Sequence, residues 1–90
     1  MPTVHCTRHL RLHFPDLEDV EVPGGSLAEV VRALDALHPG LAGYLLDERG
    51  ALRKHVNIFV NEKLLSDRQS LGDRVAPGDR VFIMQALSGG

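Results

Sequence analysis

Residues 26 to 37 read Ser-Leu-Ala-Glu-Val-Val-Arg-Ala-Leu-Asp-Ala-Leu. Ser26 and Glu29 form a capping box, in which the serine oxygen accepts from the amide three residues on and the glutamate reaches back. The apolar residues recur at helical spacing and form one stripe, made of Leu27, Val30, Val31, Leu34 and Leu37. Pro39 and Gly40 then end the helix. The stretch predicts one amphipathic helix whose apolar face must be covered.

Alternation of apolar and polar residues on both sides of this helix predicts the strands that cover it. The predicted strands are residues 3–14, 20–22, 55–61, 63–65 and 80–86. In the first, the apolar residues share one parity; they are Val4, Cys6, Leu10, Leu12 and Phe14. Arg8 falls on the same parity, so we expect a bend or break there.

The connections add a short helical turn at residues 41–46 and a loop at 66–79, anchored by Leu71 and Val75. A hairpin, a helix and further strands make a sheet crossed by one helix. A right-handed crossover would place the first and last strands side by side and parallel in the middle. The sequence therefore predicts an α+β, ubiquitin-like β-grasp domain at residues 1–85, with a mixed sheet of four to five strands. Residues 86–90 are predicted to form a flexible tail.

Composition and charge exclude several classes of function. A chain of 90 residues with 43% hydrophobic and 24% charged residues is expected to form one small globular domain. Its net charge of −2 gives no general attraction to nucleic acid. We expect no membrane span, because no apolar run approaches the required length, and no signal peptide, because the first residues lack a basic and apolar block. The protein is expected to be cytoplasmic.

Groups that could carry catalysis or bind a metal are sparse. His5, His9 and His13 recur every fourth residue, but on a strand such positions lie roughly 13 Å apart, too far to share one ion. We therefore expect a solvated strand face and no metal site. Cys6 falls on the buried parity and is expected to be a core residue. The sequence predicts neither catalytic residues nor a bound cofactor.

Two features remain that can serve a partner. Phe59, Phe82 and Met84 are expected on the open face of the sheet as an apolar patch, unless the loop at residues 66–79 or another strand covers them. Gly89 and Gly90 directly follow the last strand and make a slim end that fits a narrow channel. The alternative for the two glycines is an ordinary frayed terminus.

The chain resembles the ubiquitin-like sulfur-carrier family of ThiS and MoaD proteins along essentially its whole length. The resemblance rests on residues 25–34, 38–41, 55–61, 77–81 and 88–90. Many relatives have a proline and a valine-alanine pair before the final glycines, whereas this chain has Gln-Ala-Leu-Ser at residues 85–88. This departure bears on the identity of the partner rather than on the role.

The resemblance implies a protein cosubstrate rather than an enzyme. A ubiquitin-activating-type adenylyltransferase, ThiF-like or MoeB-like, would use ATP to adenylate the Gly90 carboxylate. A sulfurtransferase or cysteine desulfurase would then supply sulfur and leave a C-terminal thiocarboxylate for a sulfur-accepting synthase. Leu87, Ser88 and Gly89 would be recognised in the tail, and the apolar patch would contact the partner.

Two alternatives remain open at this point. The chain could be a protein modifier, joined through Gly90 to target lysines by the same activation chemistry. It could also be a non-covalent β-grasp interaction module with an inert tail. The recipient pathway is equally open among thiamin, molybdopterin, cysteine, thiolated tRNA and specialised metabolites.

Overall fold

The computed structural model describes residues 1–85 and shows a five-stranded mixed sheet with helices packed on one face. The elements are β1 (Thr3–Cys6), α1 (Arg8–His13), β2 (Val20–Glu21), α2 (Leu27–Leu37), α3 (Leu41–Leu45), β3 (Val56–Val60), β4 (Lys63–Leu64) and β5 (Arg80–Gln85). The strand order is β2-β1-β5-β3-β4. β1 and β5 are parallel neighbours in the middle, and the other three pairings are antiparallel. This arrangement confirms the predicted β-grasp plan; the tail at residues 86–90 lies outside the described residues.

Helix α2 begins as its sequence predicts. The Ser26 hydroxyl oxygen accepts from the Glu29 amide at 3.3 Å, and the Glu29 carboxylate accepts from the Gly25 amide at 2.9 Å. The apolar stripe of α2 is buried against the sheet, with one exception, since Leu37 is 55% exposed. The prediction was wrong for Leu37 because this residue lies in the last turn and at the edge of the stripe, about 60° around the axis from Leu34.

The first predicted strand stops early, and residues 8–13 form helix α1 instead. The strand prediction for this segment was wrong, although the chain does leave the sheet next to Arg8. A spacing of four residues, as between Leu10 and Phe14, fits a strand parity and a helix face equally well in so short a run. The helix buries Leu10 completely and leaves Leu12 69% exposed, where the strand would have buried both.

The loop between β4 and β5 packs against the beginning of α2. Its carbonyls at Leu71 and Asp73 accept the amides of Ala28 and Leu27 at 2.9 and 3.0 Å. These bonds satisfy amides of the first helical turn, which have no partner within the helix. Leu71 and Val75 are buried, as predicted. Because the loop lies on the helix side, these contacts leave the other face of the sheet open.

The buried residues form one core between the sheet and the helices. Val4, Cys6, Val56, Ile58, Val81 and Ile83 supply its sheet side. Within residues 1–85, no helix is both long enough and apolar enough to cross a membrane.

Candidate functional site

The open face of the sheet carries a contiguous apolar surface, which we call the sheet-face patch: Leu64, Phe59, Phe82 and Met84. Phe59 lies directly opposite Phe82 on the neighbouring strand, and Leu64 lies opposite Phe59 on the other side. Phe59, Phe82 and Met84, together with Asn61, line a shallow hollow of about 260 Å³. Leu64 and Met84 are 48% and 41% exposed. The structure thus brings the three residues predicted from the sequence together on one accessible surface.

Leu64 was not singled out by sequence reasoning, although a signal was present. The turn between β3 and β4 has only two residues, Asn61 and Glu62, and it sets Val60 opposite Lys63. One step further along this register, Leu64 must lie opposite Phe59 and on the same face. Asn61 adopts a positive φ of 58°, a conformation that asparagine tolerates better than most residues.

His5 on β1 lies next to the sheet-face patch, opposite Phe82 of β5. Its ring stacks on Phe82 with centroids 4.9 Å apart and planes 17° from parallel. The Nδ1 atom lies 2.9 Å from Asp19 Oδ2, and Arg11 donates to the other oxygen of Asp19 at 3.2 Å. The patch therefore has a polar border on the β1 side, as protein-binding surfaces commonly have.

The three histidines spaced by four residues lie in different elements. His5 is on β1, whereas His9 and His13 are on α1, so the strand argument against a shared ion does not apply to the latter two. The His13 ring packs on Tyr44, with centroids 4.8 Å apart. No group of three or more possible metal ligands occurs among residues 1–85.

Cys6 is a core residue, as its parity predicts. Its side chain is buried on β1, and burial, reinforced by the negative charge of Asp19, raises the pKa of the thiol to about 11. The positive charge of Arg11 opposes this shift only in part. A thiol of this pKa is protonated at neutral pH and is a poor nucleophile.

The last described residue of β5, Gln85, marks where the predicted tail begins. It lies opposite Val56 on β3, and its Oε1 atom accepts a hydrogen bond from the Tyr44 hydroxyl at 3.0 Å. We call Gln85, Val56 and Tyr44 the tail root. Because Met84 immediately precedes Gln85, the sheet-face patch reaches the tail root. The predicted tail residues Leu87, Ser88, Gly89 and Gly90 lie outside the described residues.

Comparison with known proteins places this architecture in a family. Residues 8–90 match the sequence profile of the ThiS family. The chain belongs to the ThiS family. This membership confirms the resemblance drawn from the sequence.

Two relatives of this ThiS-family chain carry different descriptions. The chain is 33% identical over 90 residues to the sulfur carrier protein CysO of Mycobacterium tuberculosis, covering 98% of this chain and 97% of the relative. It is 35% identical over 74 residues to small archaeal modifier protein 1 of Haloferax volcanii, covering 79% of this chain and 78% of the relative.

Solved structures agree with the fold of this ThiS-family chain. The matching chain in the Amycolatopsis orientalis BexX/CysO complex has a TM-score of 0.85 and 27% identity, with full coverage of both chains. M. tuberculosis CysO has a TM-score of 0.84 and 31% identity, covering 97% of this chain and 100% of the other. These neighbours confirm a ubiquitin-like β-grasp fold.

Proposed function

We propose that this chain is a sulfur carrier protein, a cosubstrate that other enzymes modify at Gly90. The observation that carries the proposal is the match to the ThiS family, which runs through Gly90. The similarity to the sulfur carrier CysO over nearly both full lengths supports it. The sheet-face patch, which ends at Met84 directly before Gln85, would supply a docking surface for the partner.

The proposed chemistry begins with activation of the Gly90 carboxylate. A carboxylate oxygen attacks the α-phosphorus of ATP in the active site of a ubiquitin-activating-type adenylyltransferase, and pyrophosphate leaves. The acyl-adenylate has in AMP the leaving group that the free carboxylate lacks. Hydrosulfide then attacks the carbonyl carbon and displaces AMP. If a sulfurtransferase or cysteine desulfurase delivers the sulfur as a persulfide, the same attack gives an acyl disulfide, which a second thiol cleaves by forming a disulfide with the donor sulfur and releasing the thiocarboxylate. The product is a thiocarboxylate, whose ionised sulfur is a strong nucleophile.

The folded domain contributes recognition and reach. The sheet-face patch would dock on the partner, since an exposed apolar cluster with a polar border is typical of such surfaces. Residues 86–90, fully extended, span at most about 17 Å. Gly90 can therefore enter a buried site while the domain stays outside. Gly89 would provide clearance in the channel, and Leu87 and Ser88 would contribute to the choice of partner.

Intact-mass measurement tests the proposal directly. The chain is incubated with ATP, a ThiF-like or MoeB-like enzyme from the same organism and sulfide. We expect its mass to rise by one oxygen-to-sulfur exchange, and a chain that lacks Gly90 to keep its mass. An unchanged mass of the intact chain with each such enzyme of the organism would refute the proposal.

Conjugation to proteins is a second candidate function, favoured by the similarity to small archaeal modifier protein 1. Activation would be the same, but a lysine amine would displace AMP and form an isopeptide bond. The two functions differ in their products, so tryptic peptides of the organism's proteins in which a lysine carries residues 81–90 of this chain, the remnant left by cleavage after Arg80, would establish conjugation. A non-covalent interaction module would instead keep its full function after Gly90 is replaced.

A further inference from the structure

The last two residues of β5 extend beyond the neighbouring strand. β1 ends at Cys6, which lies opposite Ile83, and the chain then turns into α1. Among residues 1–85, Met84 and Gln85 therefore pair with a strand on one side only, opposite Asn57 and Val56 of β3. A strand end paired on one side frays more easily than one paired on both, because fewer contacts oppose its opening. The residue from which the tail starts thus needs another contact to stay in place.

Tyr44 of α3 supplies that contact. Its hydroxyl donates to Gln85 Oε1 at 3.0 Å, across 41 residues of sequence and in a partly buried environment. The Tyr44 ring packs against two rings at the end of α1. Phe14 meets it edge-on, with centroids 5.8 Å apart and planes at 81°, and His13 lies tilted against it at 4.8 Å. Packing of the ring therefore sets the position of the hydroxyl.

Arg68 fixes the strand on the other side of Gln85. Its guanidinium donates to the carbonyls of Val56 and Arg53 at 2.9 and 2.7 Å and to the side chain of Asn57 at 2.9 Å. These three bonds hold the beginning of β3, with which Gln85 pairs. Tyr44 thus holds Gln85 directly, and Arg68 holds the segment of β3 with which Gln85 pairs.

We propose that Tyr44 is a positioning residue, whose bond to Gln85 fixes the place and direction from which the tail leaves the sheet. The inference rests on the proposed function, because this direction matters only when Gly90 must enter a partner's active site. A tail that starts from a fixed residue explores less space than one that starts from a frayed strand. Less conformational freedom is then lost when the tail enters the channel, and productive binding is more favourable.

Replacement of Tyr44 with phenylalanine tests the restraint without a partner. The Y44F variant keeps the ring contacts and removes only the hydroxyl. We expect the backbone order parameters of Met84 and Gln85, measured by ¹⁵N relaxation, to fall from about 0.85 towards 0.6. Q85L should give the same fall, and the double variant should fall no further, because both changes remove the same bond.

S26A serves as the matched control. It removes one hydrogen bond at the N-terminus of α2 that does not involve Gln85, and we expect it to lower global stability about as much as the loss of the Tyr44 hydroxyl does. We expect S26A to leave the order parameters of Met84 and Gln85 unchanged. Unchanged order parameters in Y44F would overturn the proposal.

Kinetics of thiocarboxylate formation test the positioning role itself. With the activating enzyme of the mass experiment, we expect Y44F to lower kcat/KM roughly two- to tenfold, the range that loss of one neutral hydrogen bond produces. The loss should be found mainly in KM, and S26A should behave as the wild type below its melting temperature. A normal kcat/KM in Y44F, or an equal loss in S26A, would overturn the positioning role. If the wild type is not activated at all, the proposed function fails, whereas relaxation still decides whether Tyr44 restrains Gln85.

Discussion

Replacing Gly24 with alanine should destabilise the domain through one added methyl group. Gly24 precedes the N-cap of α2 and adopts a φ of +152°. A Cβ atom built there would lie 2.9 Å from the Val30 backbone nitrogen and 3.0 Å from Val30 Cγ2. The backbone nitrogen cannot move away without distorting the first turn of α2. The side chain therefore has to be accommodated by a shift of the helix.

The expected cost has two parts, the crowding of the added Cβ atom by Val30 and the positive φ. Overpacking against a fixed neighbour costs about 1 to 3 kcal/mol, and a positive φ at a residue with a Cβ costs about 1 to 2 kcal/mol. Together they predict that G24A lowers the free energy of unfolding by about 2 to 5 kcal/mol. For a domain of this size the melting temperature should fall by roughly 10 to 40 °C.

Gly25 offers a matched control in the next position. A Cβ atom there would meet only Glu29 Oε1, at an ordinary contact distance of 3.8 Å. G25A should therefore leave stability unchanged or raise it by up to about 1 kcal/mol, because alanine restricts the unfolded chain. Thermal and urea unfolding followed by circular dichroism measure both variants. If G24A and G25A unfold within about 0.5 kcal/mol of each other, an amount typical of neutral surface changes, then neither crowding by Val30 nor the positive φ of Gly24 constrains the start of α2.

Three further predictions concern the patch, the thiol and the acidic loop. F82A should raise the KM for activation at least about tenfold, as truncation of a central interface residue does. L12A, which changes a side chain that is 69% exposed on α1, should leave KM unchanged. If F82A and the wild type have equal KM values in steady-state assays, Phe82 is not part of the interface. At pH 8 a thiol with a pKa of about 11 is ionised about a hundredfold less than one at the ordinary value of 9.0. The more basic thiolate is intrinsically more nucleophilic, which offsets roughly a factor of ten, so Cys6 in the folded protein should react with a disulfide reagent at least about tenfold more slowly than in the unfolded chain. Because folding raises this pKa, the stability associated with the protonated thiol is fully present below pH 9 and is lost as the pH rises through about 11. If the shift is absent, the wild type and C6A will show the same change of stability between pH 9 and 11. Hydrogen bonds from the backbone amides of the loop lower the pKa of Asp67 below its ordinary 3.8. The stability that Asp67 contributes is therefore present above pH 3.8 and is lost as the pH falls through the lower, folded-state pKa. The melting temperature of D67N should fall less on acidification than that of the wild type, and an identical fall would refute the assignment.

The parts of the fold that were predicted correctly depend on local chemistry or on general rules of chain topology. The capping box of Ser26 and Glu29 specifies the beginning of α2 within a few residues of sequence. The pairing of β1 with β5 joins the two ends of the described chain, yet the handedness of the crossover was enough to predict it. Both signals act independently of detailed packing.

Helix α1 shows where local pattern was insufficient. The spacing of Leu10 and Phe14 fits either secondary structure, and the choice depends on what each residue can bury against. The ladder with β5 ends at Cys6, and a helix then allows Leu10 to enter the core while Leu12 faces solvent. Tertiary burial thus overrode the apparent period of two.

Side-chain period, capping chemistry and motif order were sufficient to predict the helix-on-sheet plan, the open-face position of Phe59 and Phe82, and the family. Which distant residues meet depends on the folded domain. The register of β4 brings Leu64 to the patch, the register of β1 brings His5 onto Phe82, and the packing of α3 brings Tyr44 to Gln85. Such contacts join residues up to 77 positions apart, as between His5 and Phe82. Their formation depends on strand register and helix packing in the whole domain, which no local pattern specifies.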